Sequence, residues 1–496
     1  MGNFLRNFVF IAFFLLSLRS VFVYLSYLTG TLQVAAVIVV LAAIVVCWWK
    51  IVWILYLFVA CIPLISGIQG LGFMKFAPLL SFAFSIIYIV WFSKRVFQER
   101  KGFTPQNTIG NLVDILSGIV CLSIIVCLCN YPLDFSLYRL KFASTMGQSN
   151  PFWFMEAGYI ILQGLFLYRI FDLEIDNKRE WKYFIPCLYF HAVTIIVFAF
   201  VQLIFNMPDQ GRVGSIFSPF QDIHSYGGYV LILFFLFTYF VFKKKEYTKL
   251  KFLLVLSLLI CVLISGSTST LICLLVFGGV LSLMIFGKQR IVFIVASIVL
   301  VVIVGINLFP SVVPKGRGHS AIQRYIQRLN FTTGLKKLNG RFLSADQAFG
   351  IMREFPLTGS GVGSFYKVSR YYHFGDKAHP NRLENAHNYY LQFGAELGIP
   401  ALIIFLMILF SIYRQGLQSK KNVYIAGLLF GLSAYLLSLL TGHHLLLSNH
   451  QFLFWFVLFV ISFPQKFNLV GSEEQKKQNF NVQSKCLSVT LFILFF

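Results

Sequence analysis

The chain has 496 residues, of which 58% are hydrophobic, 18% aromatic and only 12% charged, against roughly a quarter charged in an average soluble domain. Apolar runs long enough to cross a bilayer recur through most of its length, which excludes a soluble enzyme. Disorder, collagen and a secreted disulfide scaffold are excluded too, since nothing is poor in hydrophobic residues, periodic in glycine or rich in paired cysteine. The net charge of +23 would suggest nucleic acid in a soluble protein, but here its distribution reports topology and no nucleic-acid partner is expected.

Apolar windows of ~20 residues predict spans near 7–28, 32–49, 51–67, 76–93, 111–129, 154–171, 183–205, 226–242, 250–264, 268–286, 291–309, 400–414, 422–441 and 448–463. The pairs 32–49 with 51–67 and 250–264 with 268–286 have such short connections that each can be one broken element, so the expectation is twelve to fourteen helices. Alternate short connections carry nineteen Lys and Arg on one side, from Arg6 through Lys94, Arg95, Lys178 and Lys243 to Lys421. The other side carries only Lys75, Arg139, Lys141 and Arg212. Cytoplasmic loops hold the basic excess, so both termini are expected in the cytoplasm. Trp48, Trp49, Trp53, Trp91, Trp153, Trp181 and Trp455 fall at span edges, where indoles favour the interface. The first apolar run is long and lacks a small-residue cleavage site, so it reads as a signal anchor. The nine cysteines lie in apolar runs or in the tail and suggest neither a metal site nor a disulfide framework.

One segment breaks the pattern. Residues 310–399 fall on the extracytoplasmic side with 12 basic residues against 5 acidic, and long loops in compact proteins are usually functional or disordered. Within it, Ile322, Tyr325, Ile326 and Leu329 share a helical face beside Arg324 and Arg328, which reads as a basic interfacial helix. A second helix is expected from about Phe342 to Phe355, stopped by Pro356. A third is expected from about Leu383 to Leu397, carrying Asn385, His387 and Asn388 and ending at Gly398 before Pro400 opens the next span. The expected organisation is therefore transmembrane helices over 1–309, a catalytic loop over 310–399, three further helices over 400–463 and a cytoplasmic tail over 464–496.

Other polar residues collect on the same side: Arg212 in Asp209-Gln-Gly-Arg-Val-Gly-Ser-Ile-Phe-Ser-Pro-Phe220, the hydroxyl cluster Ser265-Gly-Ser-Thr-Ser-Thr270, and His443, His444 and His450. Arginine presents a planar, permanently charged fork suited to phosphate, which makes Arg212, Arg341 and Arg353 candidates for holding a diphosphate. A histidine near its ordinary pKa can take a proton from an attacking hydroxyl, and His387 is the best placed. Outside the membrane a diphosphate donor must arrive attached to a lipid, which points to glycosyl transfer from a lipid carrier.

Glu384-Asn-Ala-His-Asn-Tyr-Tyr-Leu-Gln-Phe-Gly-Ala-Glu-Leu-Gly-Ile-Pro400 resembles the histidine motif of the O-antigen ligase and polymerase family. Arg341 followed by Phe355-Pro-Leu-Thr-Gly-Ser-Gly-Val-Gly-Ser-Phe365 is similar to that family's arginine and proline-glycine loop, and Gln210-Gly-Arg-Val-Gly214 to a third motif. The resemblance covers roughly residues 180–463. The chain departs from the family at Thr268, where an arginine often follows the serine, and at Ala345, where a tryptophan is common.

The resemblance implies an all-α polytopic membrane glycosyltransferase of GT-C-like class in the bacterial inner membrane, inverting, metal-independent and without a cofactor. Its donor would be a glycan on undecaprenyl diphosphate and its acceptor lipid A core for a ligase, or another repeat unit for a polymerase. By that analogy His387 assists the acceptor hydroxyl, Arg212 and Arg341 hold the diphosphate, and Arg353 and Asn388 are further substrate-binding candidates. Two other classes compete. A transporter or flippase would show repeated halves with ionisable groups at mid-membrane, whereas no internal repeat is evident. A non-catalytic assembly subunit would tolerate loss of His387 or Arg341. Gly359, Gly361 and Gly363 lack a flanking βαβ pattern and read as a tight turn rather than a nucleotide loop. Asp114, Glu156 and Arg19 lie in or at the edge of spans and are suspects by position, without an assigned role.

Overall fold

The computed structural model describes residues 3–27, 48, 51–70, 79–130, 153–175, 183–204, 223–244, 249–265, 267–286, 331–372, 385–419 and 422–463. Their regular elements are all helices, with no strand among the described residues, as expected of an all-α polytopic membrane protein. The helices are α1 (Asn3–Tyr27), α2 (Ile51–Gly70), α3 (Leu79–Ser93), α4 (Thr108–Asn130), α5 (Trp153–Glu174), α6 (Phe184–Ile204), α7 (Ile223–Lys244), α8 (Lys249–Ile264), α9 (Thr268–Phe286), α10 (Phe331–Glu354), α11 (Phe365–Val368), α12 (Tyr389–Gln418), α13 (Val423–Ser438) and α14 (Ser448–Ser462). Seven, counting α3 together with the π-helical turn Lys94–Gln98 that continues it, are long and apolar enough to cross a membrane by length and composition. Twelve of the fourteen expected spans coincide with helices, α8 and α9 among them as separate helices. The windows 32–49 and 291–309 lie outside the described residues, as does the interfacial helix expected over 320–330.

The chain divides into two compact units. The first comprises Met1–Cys187, Asn339–Ile412 and His443–Ser462, and the second Leu188–Leu338, Tyr413–Gly442 and Phe463–Phe496. In the first unit α1 packs on α3 and α4, and α5 lies against α4 and α14. The contacts are largely aromatic: Phe13 stacks on Phe166 with centroids 4.1 Å apart, and Tyr24 on Phe82 at 3.8 Å. In the second unit α7 lies along α13 and contacts α8 and α9. There Gly431 of α13 lets the backbones meet, since a Cβ would come within 2.5 Å of the Ile232 carbonyl oxygen.

The first unit also buries a set of ion pairs. Arg169 Nε donates to Asp114 Oδ1 at 2.6 Å, and Arg6 Nε to Asp114 Oδ2 at 3.0 Å. Arg169 also pairs with Asp172 and donates to the Phe103 carbonyl at 2.7 Å. Nearby, Arg95 Nη1 meets Glu174 Oε1 at 2.7 Å, on which Trp91 also donates at 2.8 Å. Asp114, suspected of function because it is an ionisable group in a span, thus joins α1, α4 and α5. Buried charges are tolerated when paired and hydrogen-bonded in this way. Glu156 is exposed in the first turn of α5, where a carboxylate complements the helix dipole.

Two expected helix boundaries are corrected. The helix ending before Pro356 begins at Phe331, eleven residues before Phe342, because a polar stretch with two Lys continues it despite having no apolar periodicity. The helix expected from Leu383 begins instead at Tyr389. Asn388 is its N-cap, with Oδ1 accepting from the Leu391 N–H at 3.1 Å and its carbonyl from the Gln392 N–H at 3.1 Å. Asn385, His387 and Asn388 therefore lie on a turn leading into the helix, and His387 has φ 50°.

Candidate active site

The site is assembled within the first unit from four pieces of chain. Helix α12 is two helices meeting at Gly398, whose φ of 86° and ψ of 164° break the regular backbone. Pro400 has no N–H to continue the ladder, and the Ile399 N–H turns instead to the Pro356 carbonyl at 2.8 Å. The short half-helix 389–397 is thereby joined to the glycine loop 356–364. The Ser360 N–H donates to the Ala395 carbonyl at 2.9 Å, the Gly361 N–H to the Glu396 carbonyl at 2.9 Å, and the Gly363 N–H to Glu396 Oε2 at 2.7 Å. The fit depends on absent side chains. A Cβ on Gly398 would lie 2.3 Å from the Leu357 carbonyl oxygen, and one on Gly359 2.3 Å from the Glu396 backbone carbon, while both residues have positive φ.

Helix α10 closes the assembly from the side. Its Ala348, Ile351 and Met352 pack with Phe365, Ala386 and Ala395 into one apolar cluster, flanked by Phe355, Val368, Tyr372 and Leu391. The arginine helix, the glycine loop and the histidine turn thus share a core. The loop is also anchored to the transmembrane bundle, since the Val362 N–H donates to Ser123 Oγ of α4 at 2.9 Å.

The turn before α12 faces the segment between α13 and α14. The rings of His387 and His443 approach edge to face with centroids 5.7 Å apart, and His444 stacks on His450 at 5.6 Å. Tyr389 is buried and hydrogen-bonded to Gln451, which also accepts from Trp455 Nε1 at 2.9 Å and donates to the Leu445 carbonyl. Trp455 fits because residue 164 is glycine, where a Cβ would fall 2.1 Å from its Cδ1. The structure therefore brings His387 together with His443, while the neighbouring Tyr389 and His444 reach α14 at Gln451 and His450.

The arginine candidates separate. Arg341 is half-buried, and loss of hydration lowers its pKa from the ordinary value. A guanidinium so shifted is still cationic near neutrality. Arg353 is exposed and lies twelve residues further along α10, roughly 18 Å along the axis and a third of a turn round it, so the two do not converge on one diphosphate. Arg212 lies outside the described residues. The hydroxyl cluster belongs to the second unit, where Ser267 Oγ accepts from the Thr270 N–H at 3.4 Å and meets Ser269 Oγ at 3.1 Å at the start of α9. In that unit Tyr229 is hydrogen-bonded to His191 at 2.7 Å, a pairing the sequence did not signal. The sequence reading also passed over Gln392, Glu396 and Gln451. For Gln392 and Glu396 the signal is polarity at a four-residue spacing, which marks one shared helix face, whereas Gln451 lies on another helix without such a pattern. Among the described residues no group of three or more His, Cys, Asp or Glu side chains is disposed to hold a metal ion.

No curated protein matches the chain. The family model described as O-antigen ligase matches residues 252–406, a stretch that takes in Arg341, the glycine loop, His387 and the broken helix α12. The resemblance read from the motifs is thus borne out over that stretch: residues 252–406 are similar to the O-antigen ligase family.

Proposed function

We propose that the protein transfers a glycan from an undecaprenyl-diphosphate carrier to an acceptor hydroxyl on the extracytoplasmic side of the bacterial inner membrane, as a ligase acting on lipid A core. The observation that carries this reading is the placement of His387 at the turn leading into the half-helix that the glycine loop holds, inside the segment that matches the O-antigen ligase family. His387 takes the proton of the acceptor hydroxyl as its oxygen attacks the anomeric carbon. The bond from that carbon to the diphosphate oxygen breaks with its electron pair, and the carrier diphosphate departs. Attack from the opposite face inverts the anomeric configuration. Arg341 stabilises the charge gathering on the leaving diphosphate through charge-assisted hydrogen bonds, and Arg212 is a further candidate for that role by the resemblance of its motif alone. Arg353 stands outside that grip, and Asn388 serves as the helix cap that sets the turn.

The deciding experiment compares surface glycolipids with and without the gene, and with His387→Ala restored at normal protein level. Removing a general base costs ~10²–10⁴-fold, so His387→Ala is expected to leave bare lipid A core with finished polymer stranded on the carrier. Core bearing a single repeat unit would instead make the protein a polymerase. Full transfer by well-folded His387→Ala would overturn the catalytic assignment.

A further inference from the structure

His387 and Arg100 are the non-glycine residues with positive φ among the described residues. Such a conformation persists where the surroundings over-determine it. Two buried side chains on the half-helix of α12 supply that constraint. The Ala386 N–H donates to Gln392 Oε1 at 3.3 Å, so the residue before His387 is tied down. Gln392 Nε2 donates to Asn385 Oδ1 at 3.4 Å and to Glu396 Oε1 at 2.9 Å. The second oxygen of Glu396 accepts from the Gly363 N–H at 2.7 Å. Gln392 and Glu396 are each only 3% exposed. These bonds form one continuous path from the histidine turn, through the half-helix, to the glycine loop. With Glu396 ionised the donor order is set, since Oε1 can then only accept and the Gln392 amide turns its nitrogen toward it.

We propose that Gln392 and Glu396 are positioning residues, a two-member latch that sets where the His387 imidazole stands relative to the acceptor hydroxyl. Neither touches the reacting atoms. The proposal rests on the reading of His387 as the proton acceptor.

The latch makes a reciprocal prediction. Glu396→Gln is isosteric but can set a donor against a donor, and Gln392→Leu removes the middle of the path. The exchange Gln392→Glu with Glu396→Gln rebuilds it: the new carboxylate accepts from the Ala386 N–H, from the new amide and from the Asn385 amide after a flip, while the new amide oxygen accepts from the Gly363 N–H. The full-length purified protein is assayed for transfer from an undecaprenyl-diphosphate-linked glycan to lipid A core, with rates normalised to folded protein. Each single variant is expected to lose ~10–100-fold in kcat with donor KM within about twofold, and the exchange to return within about threefold of the parent. Parental kcat in both single variants, or an exchange no better than they are, overturns the latch. If the single variants fail to fold, the exchange decides alone, and a folded exchange variant slower by tenfold or more overturns it. His387→Ala is run in parallel. Should it transfer at the parental rate, the catalytic reading fails, and the latch is judged by site-resolved modification of His387 with diethyl pyrocarbonate. A rate altered severalfold by Gln392→Leu and restored by the exchange supports it, and an unaltered rate overturns it.

Discussion

The imidazole of His387 stands edge-on to that of His443, ring centroids 5.7 Å apart at 61°, so the segment between α13 and α14 forms one wall beside the proposed base. An edge-to-face ring contact is worth about 0.5–1.5 kcal/mol, equivalent to roughly 2–10-fold in a rate that depends on ring placement. His443→Ala is therefore expected to reduce kcat by that factor, well short of the loss from His387→Ala, and His443→Phe to recover most of it. The check is kcat for the three variants in one transfer assay; equal losses in His443→Ala and His387→Ala would instead make His443 a chemical participant.

The two arginines of α10 differ in burial and direction, and so should their variants. Arg341→Ala is expected to lower kcat/KM for the lipid-linked donor by about 10²-fold or more, with Arg341→Lys recovering only part because a point charge does not replace a bidentate fork. Arg353→Ala, on the exposed face, is expected to stay within about threefold of the parent. Donor titrations of the three variants test the distinction, and equal losses at the two positions would place the diphosphate differently.

Gly398 and Gly359 lock the half-helix to the glycine loop with no room for a side chain. Alanine at either adds the strain of a left-handed backbone, of order 1–3 kcal/mol, to a collision with backbone that cannot swing aside. Both variants are expected to lose transfer and to show early proteolysis at the loop while the transmembrane bundle stays intact. Limited proteolysis of the purified protein reads this out, and a parental cleavage pattern with parental activity would contradict it.

Asp114 answers two arginines at once. Breaking a buried ionic group costs about 3–5 kcal/mol, and Asp114→Ala takes the carboxylate from Arg6 while Arg169 retains Asp172, so the variant is expected to lower the thermal midpoint in detergent markedly. Asp114→Asn, whose single amide oxygen still accepts from one arginine while its NH2 faces the other, should fall between it and the parent. Thermal unfolding in one detergent provides the comparison.

The bundle was legible because a bilayer imposes one length on every crossing, and that length shows in a single sequence as an apolar run. Hence α1, α2 and α4 to α9 lie where the windows put them. The break at Gly398 was also legible, since glycine followed two residues later by proline can neither keep a side-chain-compatible backbone nor donate the next hydrogen bond. The start of α12 was not. Asn388 was counted as a helix residue, although asparagine with a free carbonyl oxygen three residues before Leu391 is a cap by chemistry. The partners of Asp114 were invisible for a different reason: Arg6 lies 108 residues away and Arg169 lies 55 away, and no local pattern encodes a meeting at that range. The Gln392 and Glu396 path lay between the two, with a visible spacing but unreadable partners.

The distance along the chain between Arg6 and Asp114 also bears on biogenesis. Synthesis delivers α1 with its guanidinium long before α4 brings the carboxylate, and Arg169 follows only with α5. When α1 is made, the carboxylate that pairs with Arg6 does not yet exist, and the buried ion-pair set closes only once α4 and α5 arrive. Early helices of this chain wait for later ones, and a ribosome stalled before α4 would leave α1 inserted but unassembled.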